Sequence, residues 1–208
     1  MVSFYFFGGA VMKIIEPTAE LVTDFNGDDV LKLLETCARV SHKSTSKGNS
    51  ADFIRKIIKL GHESVLEHFS ATFHIICDRA IQNELVRHRH ASFTVESTRY
   101  VEYDELPAIK PEFNSNAGEI FLVSAMQCAE KYYRDMITYG EKTEIARSIL
   151  PQCVVSELYM TANLREWRHI LKLRTSKAAH PQMKLIAGQI LDTFKQKLPA
   201  VFEDINHD

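Results

Sequence analysis

The stretch Arg87–Tyr100 (RHRHASFTVESTRY) constrains the fold most, because it gathers three guanidinium groups and two imidazoles within fourteen residues. The whole chain has a formal net charge of -2, so these cations are a local concentration in a chain that is not basic. Guanidinium groups are planar donors that match phosphate and carboxylate oxygens two at a time. We therefore expect this stretch to hold a multiply charged small molecule at an accessible position.

The segment before this stretch indicates where it lies in the fold. Ser70–Cys77 alternates between two faces and is rich in β-branched and aromatic residues, which predicts a strand. Asp78 follows, and aspartate commonly caps the start of a helix. Residues 87–89 would then end that helix, and Ser92–Tyr100 would be a loop or extended segment, where binding groups are common.

Elsewhere helices and strands mix in no regular order. Hydrophobic spacing predicts one helix capped by Asp28 or Asp29, one that ends at Gly61, and a long one that ends at Gly140. Val154–Thr161 alternates as a strand does, although Ser156–Met160 could also continue as a helix. Because regular βαβ alternation is absent, we expect an α+β fold with mixed helices and a small sheet in a single domain.

Length and composition limit the class of protein. A chain of 208 residues with 45% hydrophobic and 25% charged residues is typical of one soluble globular domain. We expect residues 1–11 to form an N-terminal extension and residues 12–208 to form the domain. No apolar run reaches the roughly 18 residues that a membrane span needs. A pI near 6.5 disfavours a surface that coats a nucleic-acid polymer.

The cysteines indicate a reducing compartment. They lie far apart and form no Cys-x-x-Cys pair, which argues against a disulfide framework and favours a cytoplasmic location. We expect each to be a small buried hydrophobic residue. The four are Cys37, Cys77, Cys128 and Cys153.

Two motifs that would indicate other chemistry are incomplete. The glycines form no G-x-G-x-x-G turn and no P-loop, so arginines would have to meet the phosphates of any dinucleotide. The segment His62–His68 (HESVLEH) misses the zinc motif H-E-x-x-H because Leu66 stands at the second histidine position. We expect no metal site, and a metal-dependent hydrolase using His62, Glu63 and His68 is the first alternative function.

A nucleophilic serine is an alternative role within the Arg/His stretch. Ser97 would need a general base and an orienting acid. His88 and His90 lie close to it in sequence, but Glu96 is the one obvious carboxylate partner for them. Ser97 therefore suits hydrogen bonding to a phosphate better than attack. The second alternative function is a non-catalytic nucleotide-binding or RNA-binding module built on this cluster.

The spacing within the stretch resembles a known signature. Arg-His-Arg at 87–89, followed after seven residues by Ser97 and Arg99-Tyr100, is similar to the signature of the flavin-dependent thymidylate synthases. Further landmarks occur in that family's order and extend the resemblance over about residues 38–175. They are Ala38–Ser41, Gly61–Ser64, Glu67-His68, Ala146-Arg147, Leu150-Pro151, Asn163–Arg165 and Leu173-Arg174.

The resemblance implies a reaction and its cofactor. In this family dUMP is reductively methylated to dTMP, with methylenetetrahydrofolate as carbon donor and NADPH-reduced FAD as hydride source. No enzymic nucleophile is required. The resemblance also implies a homotetramer in which each flavin pocket is shared between subunits.

The resemblance assigns roles to individual residues. Arg174 would act in catalysis, because a fixed cation against the uracil ring favours ionisation at N3. Whether Val95 or Glu96 takes the place of the family's carboxylate is left open. Contacts to dUMP are implied for Glu84, Leu85, Val86, Arg87, Val95, Glu96, Ser97, Thr98, Arg99, Arg147 and Arg174. Contacts to FAD are implied for His62, Ser64, Arg87, His88, Arg89, Val95, Asn163, Leu164, Arg165 and His169.

Overall fold

Fourteen regular elements are seen in the computed structural model, which describes residues 2–7, 10–46 and 48–206. The strands are β1 (Val2–Phe7), β2 (Ala10–Ile15), β3 (Thr18–Leu21), β4 (Ser70–Asp78), β5 (Ala91–Val95) and β6 (Val155–Asn163). The helices are α1 (Gly27–Arg39), α2 (Ser50–Lys59), α3 (Arg79–Leu85), α4 (Asn116–Thr138), α5 (Thr143–Ala146), α6 (Leu164–Arg174), α7 (Pro181–Lys197) and α8 (Pro199–Phe202). Short 3-10 segments occupy Val40–His42, Glu63–His68 and Arg147–Ile149.

The strands form two sheets. β1 and β2 pair antiparallel, with Val2 opposite Ile15 and Phe7 opposite Ala10. The other sheet has the order β3-β4-β6-β5. Mixed helices with a small four-stranded sheet confirm the predicted α+β class. Residues 2–7 of the predicted extension belong to the β1–β2 pair, whereas Met1, Gly8 and Gly9 lie outside the described residues.

One compact unit comprises the described residues up to Thr18, together with residues 76–87 and 94–158. Helix α4 contacts β2 in this unit. Ala108 forms isolated β-bridges to Ile14 on one side and Val154 on the other, which ties a loop residue into the core. The core cluster consists of Met12, Ile14, Leu106, Ala108, Val123, Met126 and Val154.

The second compact unit comprises the described residues within 19–75, 88–93 and 159–206. Its centre is aromatic: Trp167 on α6 packs edge-on against Phe73 of β4, with ring centroids 5.2 Å apart. The indole nitrogen of Trp167 donates to the Ala71 carbonyl at 3.0 Å, so the one polar atom of this buried ring is satisfied. Helix α6 is therefore fixed against β4, and the residues on its other face are fixed with it.

Helix ends follow capping chemistry, with one correction to the sequence prediction. Asn26, and not Asp28 or Asp29, caps α1, because its side-chain oxygen accepts from the amides of Asp28 and Asp29 at 2.9 and 3.3 Å. The two aspartates lie in the first turn, where negative charge favours the helix dipole. Gly61 and Gly140 follow α2 and α4 with φ of 76° and 93°, as predicted for glycine after a helix end.

The cysteine prediction holds in part. All four cysteines are free, and Cys77 is buried. Cys37 and Cys153 are half-buried, and Cys153 packs against the core of the first unit. Cys128 is exposed, so its prediction as a buried residue is wrong. Its place on α4 turns it away from the face that carries Val123 and Met126.

Within the part of the chain that the structure describes, no helix has both the length and the apolar character needed to cross a membrane.

Candidate functional site

The first turn of α6 places three of the predicted flavin-contacting residues. Asn163 caps the helix, and its side-chain oxygen accepts from the Glu166 amide at 2.9 Å. Leu164 is completely buried and its amide donates to the Phe69 carbonyl at 3.0 Å, so its side chain belongs to the core. Arg165 is exposed and donates to Glu67 at 2.6 Å. Of the three, Asn163 and Arg165 present polar groups to solvent.

A cleft of about 660 Å³ lies along this face of α6, and we call it the α6 cleft. It brings together the predicted flavin residues Asn163, Arg165 and His169, with cationic and acidic neighbours. Its lining residues are Glu63, Glu67, His90, Asn163, Arg165, Glu166, Arg168, His169 and Lys172.

His88 is the buried member of the Arg-His-Arg segment, with 7% of its surface exposed. Its Nε2 accepts a hydrogen bond from Nε of Arg174 at 3.1 Å. Its Nδ1 lies 3.9 Å from a carboxylate oxygen of Glu166. Burial, together with the smaller electrostatic effects of Arg174 and His169, lowers the pKa of His88 to about 4. His88 is therefore neutral at pH 7.

The contact with Glu166 corrects the sequence prediction about the carboxylate partner of His88. Glu96 is not the carboxylate that faces His88; Glu166, 78 positions further along the chain, is. Glu166 was also missed as a functional residue. A signal for it existed, since it lies three residues from both Asn163 and His169, and residues three apart are neighbours on a helix surface.

A second group of predicted residues forms in the other unit, and we call it the Arg147 group (Thr98, Arg99, Glu144, Arg147). Nη1 of Arg147 donates to the Thr98 hydroxyl at 3.4 Å, and its Nε donates to the Glu144 carbonyl at 3.3 Å. Arg99 pairs with the Glu144 carboxylate at 3.3 Å. Two predicted dUMP-binding arginines are thus held by one acidic residue that the sequence reading did not include.

Ser97 begins the turn that carries Thr98 and Arg99 of the Arg147 group. Its carbonyl accepts from the amides of Tyr100 and Val101, each at 3.0 Å. Ser97 is half-buried, and no carboxylate–histidine pair orients it among its described contacts. This geometry favours a hydroxyl that donates to a ligand over a nucleophile.

Val95 and Glu96 are the two candidates for the position of the family's carboxylate, and Glu96 is the one that has a carboxylate side chain. Val95 is the last residue of β5, and the Glu96 amide donates to the Glu157 carbonyl at 2.8 Å. The Glu96 side chain accepts from the Tyr103 hydroxyl at 3.0 Å. Burial raises the pKa of Tyr103, and the negative charge of Glu96 raises it further, so this tyrosine remains a donor at neutral pH.

The remaining predicted residues lie at or just after the end of α3 and differ in their exposure to solvent. Leu85 is buried in the core, so any ligand contact must come from its backbone. Val86 and Arg87 follow it in a turn and are exposed, as is Arg89. Glu84 is half-buried, and its carbonyl accepts from the Arg87 amide at 3.3 Å.

His62 and Ser64 lie at the start of the 3-10 segment that precedes β4. Both are exposed, and the His62 amide donates to the Ile57 carbonyl at 2.9 Å. Among the described residues, the group that is close enough to hold a metal ion is not His62, Glu63 and His68. It is His88, Glu166 and His169, whose ligand atoms lie within 4.8 Å of one another. The guanidinium of Arg174 at 3.1 Å from His88 opposes a divalent cation there by like-charge repulsion.

The sequence analysis also did not identify Arg168 as a residue of the site. It is almost fully buried, yet it lines the α6 cleft. It donates to both oxygens of Asp204 at 2.6 and 2.7 Å, to Glu63 at 3.4 Å and to the Val201 carbonyl. These contacts fix the segment after α8 to α6, which is a structural role.

The fold and the two cation-bearing groups define an α+β protein suited to phosphorylated small molecules. The model of the family described as thymidylate synthase complementing protein matches residues 20–200. A probable flavin-dependent thymidylate synthase of Mycobacterium phage D29 is 32% identical over 92% of this chain and 92% of its own length. The flavin-dependent thymidylate synthase of Corynebacterium efficiens is 30% identical over 90% of this chain and 84% of its own length.

Solved structures agree. The UMP/dUMP methylase PolB from Streptomyces cacaoi, bound with 5-Br dUMP, is similar with a TM-score of 0.77 and 29% identity, over 91% of this chain and 95% of that one. The same protein bound with 5-Br UMP gives a TM-score of 0.75 at 24% identity, which supports the fold alone. The chain belongs to the flavin-dependent thymidylate synthase family. The predictions of this family, of an enzyme and of an FAD-dependent methyltransferase are confirmed.

Proposed function

We propose that the chain converts dUMP to dTMP, with methylenetetrahydrofolate as carbon donor and NADPH as the reductant of bound FAD. The observation that carries the proposal is the α6 cleft, because it unites Asn163, Arg165 and His169, which the family resemblance assigns to the flavin. Beside it, the contact between Arg174 and His88 places a guanidinium on a buried, uncharged partner.

The residues of the α6 cleft suit an anionic cofactor. Arg165, Lys172 and the side-chain amide of Asn163 offer donors within a cleft of about 660 Å³. Glu67 pairs with Arg165 at 2.6 Å, so a pyrophosphate would compete with Glu67 for that guanidinium. Reduced FAD supplies a hydride when it is bound, and the protein supplies binding and orientation.

The Arg147 group suits the phosphate of dUMP. Arg99 and Arg147 bring two guanidinium groups to one turn, where the hydroxyls of Ser97 and Thr98 add weaker donors. A charge-assisted hydrogen bond contributes about 1.5–3 kcal/mol, so one bond from each arginine and one from a hydroxyl together contribute about 3.5–7.5 kcal/mol, a large part of the roughly 8 kcal/mol that micromolar binding of a nucleotide requires. Arg99 would exchange its exposed pair with Glu144 for the phosphate, at little loss because exposed ion pairs are weak.

Arg174 would act on the uracil ring. A cation beside the ring stabilises negative charge at N3 and O4, and this raises electron density at C5, the carbon that is methylated. Because His88 holds the Nε edge of Arg174, the orientation of the guanidinium is set before the substrate arrives. Methylation then requires no nucleophilic side chain.

An oligomer would complete the site. Helix α4 exposes an apolar stripe at helical spacing, which includes Phe121 at 71% and Tyr132 at 57% exposure. Such a stripe is typical of a subunit interface. We propose a homotetramer with shared active sites in the cytoplasm. The Tyr132→Glu variant would then have a lower mass by light scattering than the neighbouring control Lys131→Glu; equal masses would contradict this interface.

The visible spectrum of the purified chain tests the proposed function. We expect a flavin band that bleaches when NADPH is added and returns when dUMP and methylenetetrahydrofolate follow. A colourless protein that loses activity to a chelator would favour the metal-dependent hydrolase. Colourless protein that binds RNA with a steep salt dependence would favour the binding module.

A separate experiment tests which nucleotide is the substrate. The structural neighbour at 29% identity is named a UMP/dUMP methylase, so UMP is the second candidate substrate. Return of the flavin band with UMP and methylenetetrahydrofolate, at a rate similar to that with dUMP, would extend the function to ribonucleotides. Return with dUMP alone would restrict it to thymidylate synthesis.

A further inference from the structure

We propose that Glu166 is a positioning residue that acts through His88 to aim the guanidinium of Arg174. The three side chains form a row: the Glu166 carboxylate, the imidazole at 3.9 Å, and Arg174 at 3.1 Å from the other ring nitrogen. The inference deepens the proposed function, since it rests on the role given there to Arg174.

The contact with Arg174 indicates the tautomer of His88. Arginine is always protonated, and its Nε carries a hydrogen that can only be donated. Because Nε of Arg174 lies 3.1 Å from Nε2 of His88, that ring nitrogen is the acceptor for as long as this contact is made. In a neutral imidazole the other nitrogen then carries the proton, so His88 has its hydrogen on Nδ1.

Glu166 is the carboxylate that faces Nδ1 of His88. The Glu166 oxygen at 3.9 Å is too distant for a direct hydrogen bond, but it presents negative charge to the N–H dipole. Both side chains are largely buried, with 6% and 12% of their surfaces exposed, so the attraction is weakly screened. Glu166 therefore favours the tautomer that leaves Nε2 free to accept from Arg174.

Helix α6 carries both side chains that contact His88 and holds them at a fixed spacing. Glu166 lies in the first turn of α6, where the Asn163 cap holds its amide at 2.9 Å. The next residue is Trp167, the buried anchor of the helix. Arg174 is the last residue of the same helix. His88 is thus held between two side chains whose spacing is set by one fixed element, which is how a supporting residue orients a functional one.

The charges that face His88 agree with this arrangement. They are the cationic Arg174 and the anionic Glu166, and the imidazole of His169 lies beside them. The His169 ring stands nearly perpendicular to His88, with centroids 6.4 Å apart. A protonated His88 would place a hydrogen on Nε2 against the Arg174 donor, which would break the contact that positions Arg174.

The test compares two variants of the flavin-loaded protein. Glu166→Gln removes the charge and keeps the shape, whereas the control Glu203→Gln makes the same change at an exposed pair with Arg55. Long-range proton–nitrogen NMR of histidine-labelled protein reads the His88 tautomer directly. We expect a protonated Nδ1 in the wild type and control, and a mixture of tautomers in Glu166→Gln.

Kinetics supply the second readout. At saturating dUMP we expect Glu166→Gln to lower kcat by about 10- to 100-fold, since small misplacement of a catalytic group costs this much. The KM for dUMP and the flavin content should change by less than about twofold on the same reasoning. His88→Gln, which keeps an acceptor oxygen, should retain more activity than His88→Leu.

Two outcomes in the Glu166→Gln variant overturn the inference. An unchanged tautomer in Glu166→Gln refutes the link through His88, whatever happens to turnover. Loss of flavin or of folding in that variant, with the control intact, assigns Glu166 a structural role instead. If the wild type forms no dTMP, the proposed function fails, but the NMR comparison still decides whether Glu166 sets the tautomer.

Discussion

The buried, neutral His88 makes stability depend on pH in a predictable direction. Its pKa is about 4 in the folded protein. In the unfolded chain it returns to the ordinary value of about 6.5. Between these values the unfolded state binds more protons, so the free energy of unfolding falls as pH decreases through this window and levels off below about 4.

The magnitude follows from the two pKa values. Between pH 7.5 and pH 5 the loss is about 2 kcal/mol if the full shift is retained. Because 7% of the His88 surface remains exposed, solvent screening reduces this loss, and we expect about 1–2 kcal/mol. Asp204 and Glu203 have lowered pKa values because of their arginine partners, so their contributions are lost only at more acidic pH. The pH 7.5 to 5 comparison therefore isolates His88 from these carboxylates.

Urea unfolding at the two pH values measures the effect. The His88→Gln variant cannot titrate, so its difference in free energy between pH 7.5 and pH 5 should be smaller than that of the wild type by about 1–2 kcal/mol. His90→Gln is the matched control, since His90 is exposed and should leave the difference unchanged. Equal differences in wild type and His88→Gln would refute the reasoning that burial keeps His88 neutral.

Three further predictions concern single residues. Arg174→Ala should retain flavin, measured by absorbance, but lose methylation of dUMP; retained turnover would refute its catalytic role. Ser97→Ala should weaken dUMP binding by calorimetry, by about 1 kcal/mol for one lost hydrogen bond; blocked turnover with intact binding would revive the nucleophile hypothesis. Arg168→Ala should lower the free energy of unfolding by about 1–3 kcal/mol, because it removes a buried side chain that donates to the Val201 carbonyl and to the partly solvated Asp204 and Glu63 carboxylates; an unchanged free energy of unfolding would show that these contacts matter little.

Local patterns in the sequence predict much of the fold. Alternation predicts β4 and β6, and Gly61 and Gly140 mark the ends of α2 and α4 correctly. These features depend on neighbours within a few residues. The hydrogen bonds of Arg168 to Asp204, which fix the segment after α8, join residues that no local pattern relates.

The same distinction applies to the candidate site. The Arg-His-Arg spacing identifies His88, and family landmarks identify Arg174, but neither predicts that the two side chains touch. The partner of His88 is Glu166 on α6 instead of the nearby Glu96, because tertiary contacts and not distance along the chain determine which carboxylate faces the imidazole. The sequence indicates the chemistry of the individual site residues. Only the tertiary structure shows which of these residues contact one another.

Product analysis by mass spectrometry tests the central claim most directly, namely that this chain methylates dUMP at C5. The flavin-loaded protein would be incubated with dUMP, methylenetetrahydrofolate and NADPH, with Arg174→Ala as the comparison. We predict dTMP from the wild type and only unchanged dUMP from the variant. Unchanged dUMP from wild-type protein whose flavin is bound and reduced by NADPH would contradict the account.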